Sequence, residues 1–260
     1  MPELPEVHGY QKYIESTSLH QKIMGLDCRD TRLLKKPLPD FKEALIGEEL
    51  TGSQRIGKYL FLHTSGKKVL LMHFGMTGRP TYYREAEARP KFGHIVLTFE
   101  NGFHLAFENK RKFGRWDLVD SVEAYAQLHK LSKDARDLTL EEFSMALRKR
   151  KTAIKKVIMD QSVTAGIGNW MADDILYQAR IHPEKNVQDL SDSEIGKIYE
   201  RMQYVIETAI ELEAHYVDFP EHFLIHKRQI GADCYHTQGE IDKIVVGGRS
   251  TYYSPEWQKV

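Results

Sequence analysis

The hydrophobic pattern of this chain changes near residue 120, and that change limits the fold more than any other feature of the sequence. Before it, short segments rich in Leu, Val, Phe and Tyr are typical of β-strands, with Gly-containing turns between them: 57–64, 67–74, 93–100 and 103–110. The pair Asn101-Gly102 predicts a hairpin between the last two. The segment from Glu3 to about Leu19 predicts a helix. Residues 1–120 are therefore predicted to form one helix followed by a β-sandwich or barrel.

After residue 120 the apolar residues recur at helical spacing in four segments: 138–150, 152–161, 169–180 and 191–214. From about residue 224 the pattern returns to strands, and Gly247-Gly248 predicts the turn of a second hairpin. The sequence thus predicts an α+β fold with two domains. We place the N-terminal domain at 1–120, a linker at 121–133, the helical domain at 134–223 and the hairpin at 224–260.

The composition excludes several classes of protein. Lys and Arg together number 37, as do Asp and Glu, so no overall charge indicates a polyanionic partner. Two cysteines, Cys28 and Cys234, do not form a disulfide framework and suit a reducing compartment. We see no secretory signal at the start and no apolar run long enough to span a membrane.

Two segments nevertheless concentrate positive charge. Residues 109–115 carry four basic side chains around Phe113, and residues 148–156 carry six basic side chains in nine positions. Each run alone is consistent with a solvated surface. Together, and with an aromatic residue inside the first, they favour phosphate contacts and a wedge that enters a base stack.

The segment VTAGIGNW, residues 163–170, is a weaker phosphate-type signal. Two glycines let a backbone approach an anion closely, and the helix that follows offers its N-terminal N–H groups. Asn169 is placed to cap that helix. An ordinary turn between helices has the same appearance. The missing third glycine excludes a dinucleotide fingerprint.

These motifs, together with the start MPELPEV, resemble the formamidopyrimidine-DNA glycosylase and endonuclease VIII family of base-excision repair enzymes. Six ordered matches carry the resemblance along nearly the whole chain: MPELPEV, RIGKYLFL (55–62), HFGMTGRP (73–80), NKRKFGRW (109–116), the helix–two-turn–helix segment 159–183 and GGRSTYYSPEWQ (247–258). The resemblance implies an N-terminal catalytic domain, a helix–two-turn–helix domain and a C-terminal finger hairpin.

The resemblance also implies a bifunctional DNA glycosylase with lyase activity. Removal of Met1 would expose the Pro2 amine, and an α-amino group has a pKa of about 7.7–8.0, so a useful fraction is a neutral nucleophile. A Schiff base through Pro2 would lead to β,δ-elimination. Glu3 is the implied acid and base, Lys58 the implied phosphate-contacting assistant, and Glu6 a further catalytic candidate. A plain helix entry for Pro2 and Glu3, and a surface charge for Lys58, remain alternatives.

A damaged base must leave the duplex before it can react. By resemblance, three residues fill the gap that it leaves: Met76, Arg111 and Phe113. Three others hold the phosphates around the lesion: Lys155, Asn169 and Arg249. Met76 as a core filler and Asn169 as a helix cap remain alternatives.

The chain departs from the family pattern at two places. The four zinc-ligand positions of the bacterial finger align with Cys234, Thr237, Ser254 and Trp257, so we predict no zinc, no other cofactor and a zincless finger. We expect Tyr252, Tyr253 and Trp257 to replace the metal by apolar packing.

The stretch 214–234 is shorter than its bacterial counterpart. That predicts weak activity on 8-oxoguanine and a preference for hydantoins, formamidopyrimidines, oxidised pyrimidines or abasic sites.

The predicted partner is damaged double-stranded DNA, with no membrane association and a monomeric state. We expect a cytoplasmic, nucleoid-associated protein in a bacterium and a nuclear one in a eukaryote. A non-catalytic DNA-damage binding protein on the same scaffold is the main alternative. An RNA-binding or ribosome-associated helix–two-turn–helix protein is the second, and the void-filling residues together with the finger count against it.

Overall fold

A computed structural model describes residues 1–259 of the chain. It divides into two compact units. The first comprises Met1–Pro2 and Glu6–Lys130, and the second comprises Glu3–Pro5 and the chain from Leu131 onward. Among the described residues, no helix is long and apolar enough to cross a membrane.

The first unit contains eight strands and three α-helices, the first of which begins with two residues of the second unit, Leu4 and Pro5. In chain order these are α1 (Leu4–Ser18), β1 (Ile23–Cys28), α2 (Leu38–Leu45), β2 (Leu50–Ile56), β3 (Tyr59–Thr64), β4 (Val69–His73), β5 (Gly78–Tyr83), β6 (Gly93–Phe99), β7 (His104–Asn109), β8 (Arg115–Val119) and α3 (Val122–Leu128). The strands form two antiparallel four-stranded sheets, ordered β1-β6-β7-β5 and β2-β3-β4-β8. Their inner faces share one apolar core, which includes Leu97 and Phe107 from the first sheet and Leu60 and Met72 from the second. The predicted sandwich is confirmed.

The four strands that the sequence pattern predicted are β3, β4, β6 and β7, the central strands of the two sheets. The four that it did not identify are β1, β2, β5 and β8, and each is an edge strand. Edge strands are bonded on one side only and tolerate polar residues, Gly and Pro, as Pro80 in β5 illustrates. The apolar signal is therefore weakest where the sheets end.

Part of the segment 121–133, predicted as a linker, is folded. Ser121 accepts a hydrogen bond from the backbone N–H of Ala124 and caps helix α3. Val122 and Tyr125 of this helix pack with Phe61 on the outer face of the β2-β3-β4-β8 sheet. Because its apolar side chains are buried against the outer face of this sheet, helix α3 belongs to the first unit.

The second unit is helical, as predicted. Its helices are α4 (Leu140–Arg148), α5 (Ile154–Ile158), α6 (Asn169–Ala179) and α7 (Asp192–Glu211). Thr139 and Ser191 close capping boxes with Glu142 and Glu194, which fixes where α4 and α7 begin. The apolar faces of these helices meet in one core, which includes Phe143, Ile175 and Ile198.

The hairpin of strands β9 (Asp242–Val246) and β10 (Arg249–Tyr253) follows in the same unit. Gly247 and Gly248 form its turn with φ angles of 57° and 75°, which glycine adopts without a Cβ penalty. Arg249 stands directly after this turn.

Candidate active site and nucleic-acid interface

Glu3 is buried in the second unit and holds the beginning of helix α6. Its carboxylate accepts hydrogen bonds from the backbone N–H groups of Gly168 (2.8 Å), Trp170 (3.0 Å) and Met171 (3.3 Å). Only 2% of the residue is exposed. The N–H groups at a helix start have no partner within the helix, and the positive end of the helix dipole favours a negative charge there. The anion at this glycine-rich loop is therefore the chain's own carboxylate.

Gly168 is required by this arrangement. A Cβ atom at position 168 would lie 2.3 Å from the Glu3 carboxylate carbon, closer than any real contact. The backbone supports the same approach, because the N–H of Leu4 donates to the carbonyl oxygen of Gly166 (3.1 Å). The loop thus positions Glu3 in two ways, because it binds the Glu3 carboxylate and also the backbone of the next residue, Leu4.

The prediction that Asn169 caps helix α6 is wrong. Gly168 occupies the N-cap, and Asn169 is the first helical residue. The side-chain amide of Asn169 instead donates to the carbonyl oxygen of Ser250 (2.9 Å), which follows Arg249 at the start of β10. Two predicted phosphate-binding residues, Asn169 and Arg249, are thereby brought together.

Lys155 departs from its predicted role. It is fully buried, and its ammonium forms an ion pair with Asp173 (2.6 Å) and donates to the Thr251 hydroxyl (2.7 Å) and the Ser250 carbonyl (3.3 Å). Burial lowers the pKa of Lys155, while the Asp173 carboxylate opposes that shift. As placed, Lys155 holds the finger strand β10 and does not present its charge to a phosphate in solvent.

Asp173 and Arg228 are site residues that the sequence reasoning missed. The Asp173 carboxylate accepts from the Arg228 guanidinium (2.7 Å) and from the backbone N–H of Tyr252 (3.2 Å), besides pairing with Lys155. The acidic Asp173 among apolar residues of α6 was the signal that could have indicated a buried ion pair, because buried charges in proteins are found paired.

The second basic segment, 148–156, is partly neutralised by protein groups. Arg148 pairs with Asp192 (2.6 Å), Arg150 pairs with Asp160 (3.3 Å), and Lys155 is buried as described. The remaining cations of the segment, such as Lys149 and Lys151, are the ones exposed to a partner. Charge counted along the sequence therefore overstates the basic surface here.

In the first unit, Pro2 and Glu6 flank the start of α1. Met1 is attached to Pro2 in this chain, which makes the Pro2 nitrogen a tertiary amide. Glu6 is half-buried, and its charge, second to burial, raises the pKa of Tyr10 to about 12. The Tyr10 ring packs on Phe74 at 4.7 Å between ring centroids, so Glu6 is linked to the loop that carries Met76.

Lys58 lies in the two-residue turn between β2 and β3. Gly57 precedes it with a φ of 57°, and the Lys58 side chain is 7% exposed. Its charge reaches His73 at the end of β4: burial, and then the charges of Lys58 and Arg115, lower the pKa of His73 to about 4. The structure thus places Lys58 near His73 and not on a fully solvated surface.

Met76, Arg111 and Phe113 lie on two loops that touch. A Cβ atom at Gly75 would lie 2.4 Å from the Gly114 nitrogen, so only glycine lets the Met76 loop pack on the Phe113 loop. The backbone N–H of Arg111 donates to the Thr77 hydroxyl (3.0 Å). The guanidinium carbon of Arg111 lies 5.3 Å from the centroid of the Phe113 ring.

These three side chains are also presented to solvent. Met76 is 37% exposed and Phe113 is 52% exposed, and Arg111 is exposed as well. Exposed apolar side chains at paired loop tips are unusual for a core filler and suit insertion into a partner. Met76 is therefore an exposed loop residue and not a core filler.

The finger is held by hydrogen bonds at Cys234 and at other positions that the sequence resemblance aligned with zinc ligands. Burial raises the pKa of Cys234, but its hydrogen bonds with Ser254, Thr237 and the Tyr177 hydroxyl (3.2 Å) outweigh burial and lower the pKa. Structural zinc takes four sulfur or nitrogen ligands, and one thiol with hydroxyls does not supply them. Within residues 1–259, no cluster of three His, Cys, Asp or Glu side chains is suited to a metal.

Aromatic rings cover this hydrogen-bonded group. Trp257 stacks on His236 at 4.3 Å, and its indole N–H donates to the Tyr177 carbonyl oxygen (2.8 Å). Tyr252 packs in the same cluster, whereas Tyr253 packs against His182. Two of the three rings expected to pack in the finger core, Tyr252 and Trp257, therefore do so.

Comparison with known protein families gives two matches along the chain. Residues 1–116 match the formamidopyrimidine-DNA glycosylase N-terminal domain, and residues 131–221 match the formamidopyrimidine-DNA glycosylase H2TH domain. The matches fall on parts of both units described above, and residues 222–259, which include the hairpin, lie outside them.

Individual proteins give the same result. The formamidopyrimidine-DNA glycosylase of Streptococcus pneumoniae strain R6 is 32% identical, over 100% of this chain and 99% of its own length. That of Arabidopsis thaliana is 32% identical over 100% of this chain and 71% of its own.

Solved structures agree in fold. The Lactococcus lactis enzyme, non-covalently bound to DNA containing an abasic site, superposes with a TM-score of 0.90 at 29% identity, covering 99% of this chain and 100% of its own. MutM in complex with DNA containing carbocyclic 8-oxoguanine gives 0.91 at 29% identity, with both chains fully covered.

Proposed function

Because this chain belongs to the formamidopyrimidine-DNA glycosylase family, we propose that it is a base-excision repair DNA glycosylase that also cleaves the abasic strand. The observation that carries the proposal is the burial of Glu3 against the start of helix α6, directly after Pro2. A carboxylate held in this way is a fixed proton acceptor and donor beside the proposed nucleophile. A chain that only bound DNA would have no need of that arrangement.

The proposed reaction begins once Met1 has been removed and Pro2 carries a secondary amine. Its nitrogen attacks C1′ of the damaged nucleotide, the bond from C1′ to the base breaks, and the base leaves. The Pro2 nitrogen loses its proton, Glu3 donates a proton to the ring oxygen O4′, the bond from C1′ to O4′ breaks, and a cationic iminium forms between Pro2 and C1′. The iminium withdraws electrons, so C2′ loses a proton as the bond from C3′ to the 3′ phosphate breaks, and C4′ then loses a proton as the bond from C5′ to the 5′ phosphate breaks.

The remaining groups are assigned to DNA binding. We propose that Met76, Arg111 and Phe113 fill the space left by the everted nucleotide, because they share one exposed pair of loops. Arg249, with Asn169 beside it, is proposed to hold backbone phosphates. The partner is damaged double-stranded DNA, and binding should weaken steeply with salt.

Trapping with borohydride tests the catalytic proposal. The mature protein is incubated with an abasic-site duplex and sodium borohydride, and the covalent adduct is resolved by denaturing electrophoresis. Wild type should give the adduct. Pro2→Gly tests the need for a secondary amine, and a form that retains Met1 should give none, because an amide nitrogen is not nucleophilic. Absence of an adduct from the mature wild type would favour a non-catalytic DNA-damage binding protein.

We propose further that 8-oxoguanine is a poor substrate. The segment after α7, which the family uses to cover that base, is short here and folded onto the second unit. Asp174 accepts from the N–H groups of Leu224 and Ile225 (both 2.9 Å), and Phe219 and Phe223 are buried. Excision rates on matched 8-oxoguanine and hydantoin duplexes test this proposal. Faster removal of 8-oxoguanine would contradict it.

We also propose that the finger folds without zinc, since hydrogen bonds to Cys234 stand where metal ligands would be. Metal analysis of the purified protein should find less than stoichiometric zinc. Excess chelator should leave the melting temperature unchanged, whereas a fall would show that a metal stabilises the finger.

A further inference from the structure

The first unit contains a cavity of about 390 Å³ that the proposed reaction does not use. It lies on the outer face of the β2-β3-β4-β8 sheet, between that face and helix α3. Leu71 is its apolar floor, and the cavity is within the size range of small-molecule sites.

Two cations on the wall of this cavity have no carboxylate partner. Neither Lys35 nor Arg115 forms an ion pair with any described residue from 1 to 259. One terminal nitrogen of Arg115, Nη1, donates to the carbonyl oxygens of Lys112 (2.8 Å) and Gly114 (2.5 Å). This fixes the guanidinium and leaves its Nε and Nη2 groups to donate elsewhere. The cavity therefore holds two cations without an ion-pair partner and one carboxylate, Asp117, and this excess of positive charge favours an anionic ligand.

His73 adds a third donor. The backbone N–H of Gly75 donates to His73 Nδ1 (3.3 Å), which leaves the ring proton on Nε2. Burial, followed by the charges of Lys58, Arg115 and Lys35, lowers the pKa of this ring to about 4, so it is neutral near pH 7. A neutral imidazole with a fixed tautomer is a directed hydrogen-bond donor.

The cavity also has aromatic lining residues, one of which, Tyr59, packs on His73 at 5.1 Å between ring centroids. Tyr125 and His129 of helix α3 lie at 4.1 Å between ring centroids, and Tyr59 adjoins Tyr125 at 5.7 Å. His129 is exposed, and Tyr59 and Tyr125 are half-buried. Rings of this kind offer a stacking surface to a planar base, and stacking tolerates any base because each has a π face.

One carboxylate completes the lining. Asp117 accepts from the backbone N–H of Leu118 (2.8 Å) through one oxygen. A carboxylate repels a phosphate but accepts from the exocyclic amino group of cytosine, adenine or guanine. Thymine has no such group.

From these contacts we propose that the cavity binds a nucleotide, with its phosphate at Lys35, Arg115 and His73 and its base stacked on the exposed ring of His129, which itself lies on Tyr125. Asp117 then favours bases that carry an exocyclic amino group. The ligand is either a free nucleoside monophosphate or an unpaired nucleotide of single-stranded DNA. The proposal does not depend on glycosylase activity, because no residue of the proposed Pro2 chemistry lines the cavity.

Titration of the whole protein with dAMP tests the site without any DNA. Binding is followed by NMR of the histidine and tyrosine side chains, beside parallel titrations with dTMP and with inorganic phosphate. We expect saturable binding of dAMP, with weaker binding of dTMP and of phosphate. If dAMP does not saturate by about 10 mM, or if phosphate binds as tightly as dAMP, the proposal is overturned.

Three variants separate recognition from general charge. Lys35→Glu removes a phosphate partner and His129→Ala removes a stacking ring, and each should weaken dAMP binding at least fivefold. Lys67→Glu is the matched control, because Lys67 is an exposed lysine in the turn at the opposite end of β3 and β4. Equal loss in the control, or none in the two site variants at unchanged melting temperature, would overturn the assignment.

A second measurement distinguishes the two sources. The affinity of wild type for a duplex with a single-stranded overhang is compared with its affinity for the blunt duplex, and the ratio is measured again for His129→Ala. If the ratio falls toward one in the variant, the ligand is an unpaired nucleotide of DNA. If it is unchanged while dAMP binding is lost, the ligand is a free nucleotide.

Discussion

The carboxylate carbon of Glu3 lies 2.3 Å from the position that a Cβ atom of residue 168 would occupy. Only glycine can therefore stand opposite Glu3. This relationship ties the proposed acid and base to the start of helix α6 through the backbone of one loop. Three N–H groups fix the carboxylate, and the missing side chain makes room for it. The geometry of Glu3 is therefore set by residues far away in the sequence.

Gly168→Ala should displace Glu3 and reduce catalysis more than DNA binding. Forcing a methyl group into this space costs about 1–3 kcal/mol of stability and moves the carboxylate. We expect the rate of borohydride trapping to fall by about tenfold or more, with a lower melting temperature. The rate constant for trapping at saturating duplex is the measurement.

Gly196→Ala is the matched control. Gly196 lies within helix α7, and a Cβ atom there would meet nothing within 4 Å. Alanine should therefore raise stability by about 0.5–1 kcal/mol and leave trapping unchanged. If both variants trap at the wild-type rate, the packing of Gly168 does not position Glu3.

Phe113→Ala should weaken excision from duplex DNA while sparing reaction with a single-stranded abasic site. Only a duplex leaves a void to fill, and losing an apolar contact worth about 1.5–3 kcal/mol lowers reactivity by roughly 10- to 100-fold. Met76→Ala should act in the same direction, and Met24→Ala is its control, because Met24 is an exposed methionine on β1. The ratio of duplex to single-strand rates is measured; an equal loss on both substrates would contradict the proposed wedge.

Lys155→Met should destabilise the second unit by about 3–5 kcal/mol, because it leaves the Asp173 carboxylate buried with one partner fewer. Urea unfolding gives the change in free energy. Lys151→Met, at an exposed lysine of the same basic segment, should change stability by less than about 0.5 kcal/mol.

The double variant Lys155→Met with Asp173→Leu should cost less than the sum of the single changes, because the buried charges are removed together. Strictly additive losses would indicate that the two residues do not interact. A loss below about 1 kcal/mol for Lys155→Met alone would show that its ammonium is not buried as described.

His73 should make the first unit less stable in acid. Its pKa falls from an ordinary 6.5 to about 4 in the folded protein, so the unfolded chain binds a proton that the folded one excludes. The contribution of neutral His73 to stability is then fully present above about pH 6.5 and is lost as the pH falls toward 4. The free energy of unfolding changes by at most about 1.4 kcal/mol per pH unit in this range.

Replacing this histidine should flatten that part of the pH profile. Urea unfolding of His73→Gln between pH 4 and 7 is compared with His63→Gln, a histidine on the neighbouring strand β3. The first variant should lose slope and the second should keep it. Identical slopes in wild type and His73→Gln would show that His73 does not titrate in this window.

The sequence by itself determined the central strands, the long helices and both glycine turns, because each depends on local periodicity or on backbone freedom. The resemblance of its motifs to the family also singled out Pro2, Glu3 and the loop residues Met76, Arg111 and Phe113 as candidates, and their proposed roles remain predictions. The edge strands were not predicted, since bonding on one side leaves little apolar signal.

Tertiary structure alone decided what the charged groups of the site contact. Glu3 meets Gly168 across 165 positions of sequence, and Lys155 meets Thr251 across 96. The basic segment around Lys155 had suggested a phosphate surface, but burial gave that lysine an internal carboxylate partner. Charge is visible in a sequence, whereas burial and pairing depend on which distant segments fold together, and these decide what a charge can bind.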